Sequence, residues 1–116
     1  MERRLQAVDA CVKGGTLVKF VLGRRQRHER FFRAELLKGS REATIVWGGG
    51  SKRGRLLRVD EKAGSGLQRE QRLSEEEVGR CFQVVIEGKA LALMAASPRE
   101  KLQWIEGLTA IVQGKM

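Results

Sequence analysis

Basic side chains are the residues of this chain best placed to do chemistry. Lys19, Arg24, Arg25, Arg27 and Arg30 crowd one stretch, and Lys52, Arg53 and Arg55 a second. Guanidinium forks meet anionic oxygens in paired hydrogen bonds and ammonium groups act as point charges, so such clusters suit a compact multivalent anion or an anionic surface. The charge is unevenly laid out: residues 1–58 hold fifteen Lys/Arg against five Asp/Glu, residues 59–116 eight against nine, within a net charge of +9. The first half is therefore expected to face a polyanion. Charge alone does not choose among nucleic acid, an anionic leaflet and an acidic protein.

Other reactive side chains stand apart. Cys11 and Cys81 each lie among apolar neighbours far apart in the chain, which predicts two small buried thiols and neither a disulfide framework nor a CxxC metal site. The single histidine, His28, is expected as a loop residue, and no His/Cys/carboxylate cluster offers metal ligands. No spacing singles out a catalytic Ser, His or Asp, so a binding module without cofactor or metal is expected, not an enzyme. The triple glycine Gly48-Gly49-Gly50 lacks the GxxxxGK[ST] spacing and the following helix of a phosphate loop, and it predicts a flexible hairpin tip.

The elements that must position these residues follow from hydrophobic period. At 116 residues the chain can bury one core, and one domain spanning 1–116 is expected. Leu5, Val8 and Val12 recur at helical spacing, giving a short N-terminal helix within 1–13. TLVKFVL reads as the first strand, GRRQRH as a solvated loop, and RFFRAELL as a half-buried strand with Phe32, Ala34 and Leu36 on one face. A turn at Lys38-Gly39-Ser40 leads to EATIVW, and strand character returns at RLLRV. Residues 60–72 read as a long loop or a poor edge strand, and LSEEEVGR as a single helical turn. CFQVVIEGKALALMAA is a tight hairpin about Glu87-Gly88-Lys89. Ser97, Pro98 and Glu100 form a capping box that opens a helix over 97–113, with Leu102, Ile105, Leu108 and Val112 as its apolar face and Trp104 and Ile111 beside them. No apolar run approaches the roughly 20 residues of a membrane span, and MERRLQAVDA has no signal-peptide core. A cytoplasmic location is the expectation.

Strands over 15–95 followed by one capped helix bearing the single tryptophan of SPREKLQWIEGL resemble a pleckstrin homology (PH) domain, as do KGGTLVKF, RHERFFRAEL and RCFQVVIEGKALALMAAS. The likeness is strongest to the PH domains of phosphoinositide-specific phospholipase C and of plant PH/chromosome-condensation-regulator-repeat/FYVE proteins. It implies a mainly β fold: a seven-stranded antiparallel, partly open barrel of two near-orthogonal sheets, capped by a C-terminal α-helix with Trp104 in its mouth.

In lipid-binding members of that family a phosphorylated inositol headgroup lies between the loops joining strands 1–2 and 3–4. Carried over by position, the resemblance implies ligand roles for Lys19, Arg27, Arg30, Ser51, Lys52 and Arg53. Arg24, Arg25 and Arg55 are left as nonspecific membrane electrostatics. Where strict 3-phosphoinositide binders have a basic residue, this chain has His28; where the phospholipase C domains have a second lysine and a loop tryptophan, it has Val21 or Leu22 and Gln26. The implied function is phosphoinositide binding by a monomer that targets the cytosolic face of membranes in signalling. The alternatives are a protein-interaction PH domain with weak anionic-lipid binding, and nucleic-acid binding. The last is disfavoured because the chain has no Tyr and no set of exposed aromatics for stacking bases.

Overall fold

The computed structural model describes residues 3–21, 23–36, 42–63 and 66–114. The order of elements is α1 (Arg3–Lys13), β1 (Gly15–Val21), β2 (Gln26–Leu36), β3 (Ala43–Trp47), β4 (Lys52–Asp60), α2 (Leu67–Gln71), α3 (Glu75–Val78), β5 (Cys81–Ile86), β6 (Lys89–Met94) and α4 (Pro98–Gln113). Each strand pairs antiparallel with the next, and β1 pairs back onto β6. The described residues thus form six strands and a closed ring, where the sequence reading expects seven and a partly open barrel. Within the ring β2 pairs with β1 from Gln26 to Phe32 and with β3 from Arg33 to Leu36, and β4 passes in the same way from β3 to β5 between Arg55 and Leu56. Closure is narrow: the β1–β6 seam is Val18 opposite Met94 and Lys19 opposite Leu93.

Alternation sorts the strands into an inner and an outer face. Leu17, Phe32, Ala34, Ile45, Trp47, Leu56, Val84, Ile86, Leu91 and Leu93 fill the barrel together with Trp104, Leu108 and Ile111 of α4. Trp47 stacks on Phe32 with ring centroids 5.7 Å apart, which makes it core, not a membrane-facing edge. Of the three residues expected to share a face on β2, Phe32 and Ala34 are buried while Leu36 is exposed. The turn expected at Lys38-Gly39-Ser40 lies outside the described residues.

Residues 60–72, read as loop or edge strand, contain instead the short helix α2. Its Leu67, with Leu73 beyond it, buries Phe20, Cys81, Ala92 and Met94 in a second core on the outside of the barrel. The expected single turn in LSEEEVGR is α3, closed by a reciprocal capping box between Ser74 and Glu77.

The two long helices keep their expected places but turn different faces inward. Helix α1 buries Ala7, Val8 and Cys11, leaving Leu5 and Val12 exposed; α4 buries Trp104, Gly107, Leu108, Ala110 and Ile111, leaving Leu102 and Val112 exposed. The reason is close approach of the helices, since a methyl group at Gly107 would collide with the Ala7 carbonyl and Cys11 Sγ. Small residues face each other there, and larger apolar ones are pushed to the flanks. The Ser97 arm of the expected capping box is present, with Ser97 Oγ accepting from the Glu100 N–H at 3.1 Å. Gly114 ends the helix in the left-handed region. Both cysteines are free and buried; burial pushes the Cys11 thiol up to about 12.

Candidate functional site

The β1–β2 and β3–β4 connections bound one mouth of the barrel, and strand register decides which basic residues look into it. Residues directly opposite in an antiparallel pair share a face. Lys19 lies two residues from core Leu17 and opposite Leu93 and His28; Arg30 lies opposite Leu17 and two residues from core Phe32. Lys52 opens β4 opposite core Trp47, and Lys89 opens β6 opposite core Ile86. Four cations from four strands therefore stand on the inner face at the same rim, with His28 beside Lys19.

Electrostatics agrees with the register. Partial burial at the closing seam, followed by repulsion from Lys89, Lys52 and Arg30, holds the Lys19 ammonium below its ordinary pKa. Lys89 Nζ stands 5.4 Å from the centroid of the Trp47 ring, on which it is propped by the negative face of the indole. Arg30 Nη1 donates to the Glu29 carbonyl at 2.8 Å, a contact with its own neighbour that keeps the guanidinium charge unneutralised. Among the described residues no carboxylate lies within 4 Å of the charged groups of Lys19, Arg30, Lys52 or Lys89.

The outer face is arranged the other way. Arg27 lies opposite Phe20, caps its ring at 5.4 Å, pairs with Glu77 at 3.2 Å and donates to the Gln71 carbonyl at 3.3 Å. Arg53 lies opposite Val46 and pairs with Glu35 at 3.4 Å, and the same carboxylate takes Arg33 at 3.0 Å. Arg55 is held between Glu42 at 3.8 Å and Glu87 at 3.7 Å.

Of the six residues expected to contact a ligand, Lys19, Arg30 and Lys52 are thus brought together. Arg27 and Arg53 are turned to the opposite face because each is one residue out of step with an inward neighbour. Ser51 sits at the tip, where its hydroxyl donates to the Gly48 carbonyl at 2.7 Å and closes the one turn of 3-10 helix at Gly48–Gly50. All three glycines have positive φ (63°, 68° and 93°), so the expected glycine tip is a turn that other residues would strain. Arg24 and Arg25 are exposed in the β1–β2 turn, Arg25 at φ 50°.

Lys89 is the residue sequence reasoning missed. It reads as part of a hairpin turn, yet its place two residues before Leu91 and four before Leu93 puts it in step with the inward face, and that alternation is the signal that could have found it.

No protein-family model matches the chain, and no curated protein matches it. Solved structures do. The C-terminal PH domain of human pleckstrin superposes on 90% of this chain, and on 90% of its own length, with a TM-score of 0.60 at 22% identity. The fold is that of a pleckstrin homology domain. The same PH fold is found in PLC21 of S. officinalis, at a TM-score of 0.63 and 13% identity over 90% of this chain, which spans only 16% of that longer protein. Inner membrane complex sub-compartment protein 1 of Toxoplasma gondii matches at 0.59 and 10% identity, covering 96% of this chain and 91% of that one. Identities this low carry the PH fold and leave the ligand to be argued from the residues of this chain.

Proposed function

We propose that this PH-fold domain is a phosphoinositide-binding module that recruits its parent protein to the cytosolic face of a membrane, with Lys19, Arg30, Lys52 and Lys89 as the headgroup-binding cations and Ser51 at the rim. One observation carries the reading: the inner-face cations of the mouth lack carboxylate partners among the described residues, while Arg27, Arg33, Arg53 and Arg55 on the outer face are each paired. Concentrating like charges costs stability unless a counter-ion arrives, and a phosphorylated inositol ring is compact enough to answer several cations at once. Each charge-assisted hydrogen bond so formed contributes about 1.5–3 kcal/mol. A cation merely near an anionic leaflet contributes about 1 kcal/mol. Arg24 and Arg25, exposed at the turn beside the mouth, supply that second, unselective attraction. The role is binding, and no chemical step is assigned to the site.

Calorimetric titration of soluble inositol phosphates tests the reading. Saturable binding that discriminates among phosphorylation patterns, lost in Lys19→Ala with Arg30→Ala, is the expected result. Equal affinity for every anionic vesicle, with no binding of soluble headgroups, would sink it. The pairing of Arg27 with Glu77 and of Arg53 with Glu35 favours a second reading, a protein-interaction module, since it leaves fewer free cations than the sequence offers. Capture of a protein partner that survives charge reversal at Lys52 would support that alternative.

A further inference from the structure

The helical excursion between β4 and β5 makes four hydrogen-bonded contacts with the β1–β2 connection and the strand ends that flank it. The Gly23 N–H donates to the Glu70 carboxylate. Gln71, buried to 5% exposure, donates from Nε2 to the Val21 carbonyl at 3.4 Å and accepts from Arg27 Nη2 at its own carbonyl at 3.3 Å. Glu77 accepts from Arg27 Nη1 at 3.2 Å while its other oxygen caps α3 at the Ser74 N–H. Beneath these polar contacts Phe20 is buried against Leu67 and Leu73, with the Arg27 guanidinium lying over its ring. Both ends of the connection, Val21 on one side and Arg27 on the other, are therefore gripped by a single acidic segment.

We infer that the α2–α3 segment is a positioning element for the anion site. Glu70, Gln71 and Glu77 fix the β1–β2 connection, and Arg27 is a positioning residue that ties β2 to the segment instead of a headgroup ligand. The inference rests on the reading of the mouth as a headgroup site. Lys19 and Arg30 lie on the two strands this connection joins, and their inner-face register persists at the mouth only while β1 and β2 remain paired out to Val21 opposite Gln26. The clamp holds the outer face of that last stretch through Phe20 and Arg27, opposite the face that carries Lys19 and Arg30. It also explains why a basic residue in the ligand loop is neutralised: its charge is used across the fold.

Conservative variants test the clamp. Glu77→Gln keeps an oxygen for the Ser74 cap, and Glu70→Gln keeps one for Gly23, so both should fold. Glu77→Gln and Arg27→Gln are each expected to weaken binding of a soluble inositol trisphosphate by roughly three- to tenfold, and the double variant no further than the worse single, because the two share one interaction. Arg27→Lys should recover part of the loss. Amide exchange at Gly23 and Arg24 should accelerate about tenfold in Glu77→Gln and in Glu70→Ala, which removes the Gly23 acceptor that Glu70→Gln keeps, while the amides of β5 and β6 keep their rates.

Tighter binding by Glu77→Gln would mean that a released Arg27 is a ligand, and would overturn the inference. Unchanged exchange at Gly23 would overturn it too, as would acceleration spread evenly over the barrel. Should the unaltered protein bind no inositol phosphate while the local exchange effect holds, the clamp stands as a structural device and the functional reading falls.

Discussion

At the scale of single residues the mouth is defined by unanswered charge, and Lys19 is the most informative member. Burial at the β1–β6 seam, then repulsion by Lys89, Lys52 and Arg30, holds its pKa below the ordinary lysine value. Between that lowered pKa and the ordinary one the unfolded chain binds more protons than the folded chain. Stability of the unliganded protein therefore rises with pH across that window, and below it the full cost of the charged amine is felt. An anion in the mouth reverses the shift, so binding takes up protons in alkaline buffer and affinity falls as pH climbs through the window. Calorimetry at about pH 9.5 in two buffers of different ionisation enthalpy should detect this uptake. Lys19→Met should abolish it and, by removing the cost of that charge, raise the Tm of the unliganded protein at neutral pH. Lys89→Ala is expected to weaken headgroup binding roughly tenfold or more, the worth of one charge-assisted contact. Arg53→Ala, on the outer face with Glu35, should leave soluble-headgroup affinity within about twofold. The reverse ranking would show that the inner face is not the binding face.

At the scale of elements, stability depends on how closely α1 and α4 approach. Gly107→Ala places a methyl group against the Ala7 carbonyl and Cys11 Sγ. Overpacking of this kind costs about 1–3 kcal/mol, which thermal melting should register as a clear fall in Tm. Ser97→Ala removes the cap of α4 and should cost about 1 kcal/mol by the same measurement. Neither change touches the mouth, so headgroup affinity at a temperature where both variants are folded should be unaltered; a parallel loss of affinity would tie the helix pair to the site. Element type was largely legible in the sequence, because β-branched alternation and the Ser97–Glu100 cap are local signals. The apolar stripes of the helices were not. Leu102 and Val112 fit a helical period as well as Trp104 and Ile111 do, and only the partner helix, by demanding small residues at Ala7, Cys11 and Gly107, decided which stripe turned inward.

At the scale of the whole molecule two groups stand out among the described basic residues: Arg27, Arg33, Arg53 and Arg55, paired with carboxylates on the outer face, and Lys19, Arg30, Lys52 and Lys89, with no carboxylate partner at the mouth. That division predicts two salt regimes. Attraction of Arg24 and Arg25 to an anionic leaflet is exposed and should fade as the Debye length falls toward about 8 Å near 0.15 M salt. Contacts made at the partly desolvated mouth should persist. Vesicle flotation at rising salt is therefore expected to lose binding to vesicles carrying only phosphatidylserine before binding to vesicles that also carry a polyphosphorylated inositol lipid. Loss of both together at the same salt would mean that no distinct site exists.

The sequence by itself determined that the chain makes an antiparallel β fold closed by a capped helix and that its first half is cationic, since period and charge are written locally; that Lys19, Arg30 and Lys52 share one rim was implied only by the resemblance to PH domains. It did not reveal that α2 folds over Phe20, that Lys89 completes the rim, or that Arg27 and Arg53 are neutralised by Glu77 and Glu35. Those partners lie far apart in the chain or across a strand pair, and a carboxylate can cancel a cation only where closure of the barrel sets the two within a few ångströms.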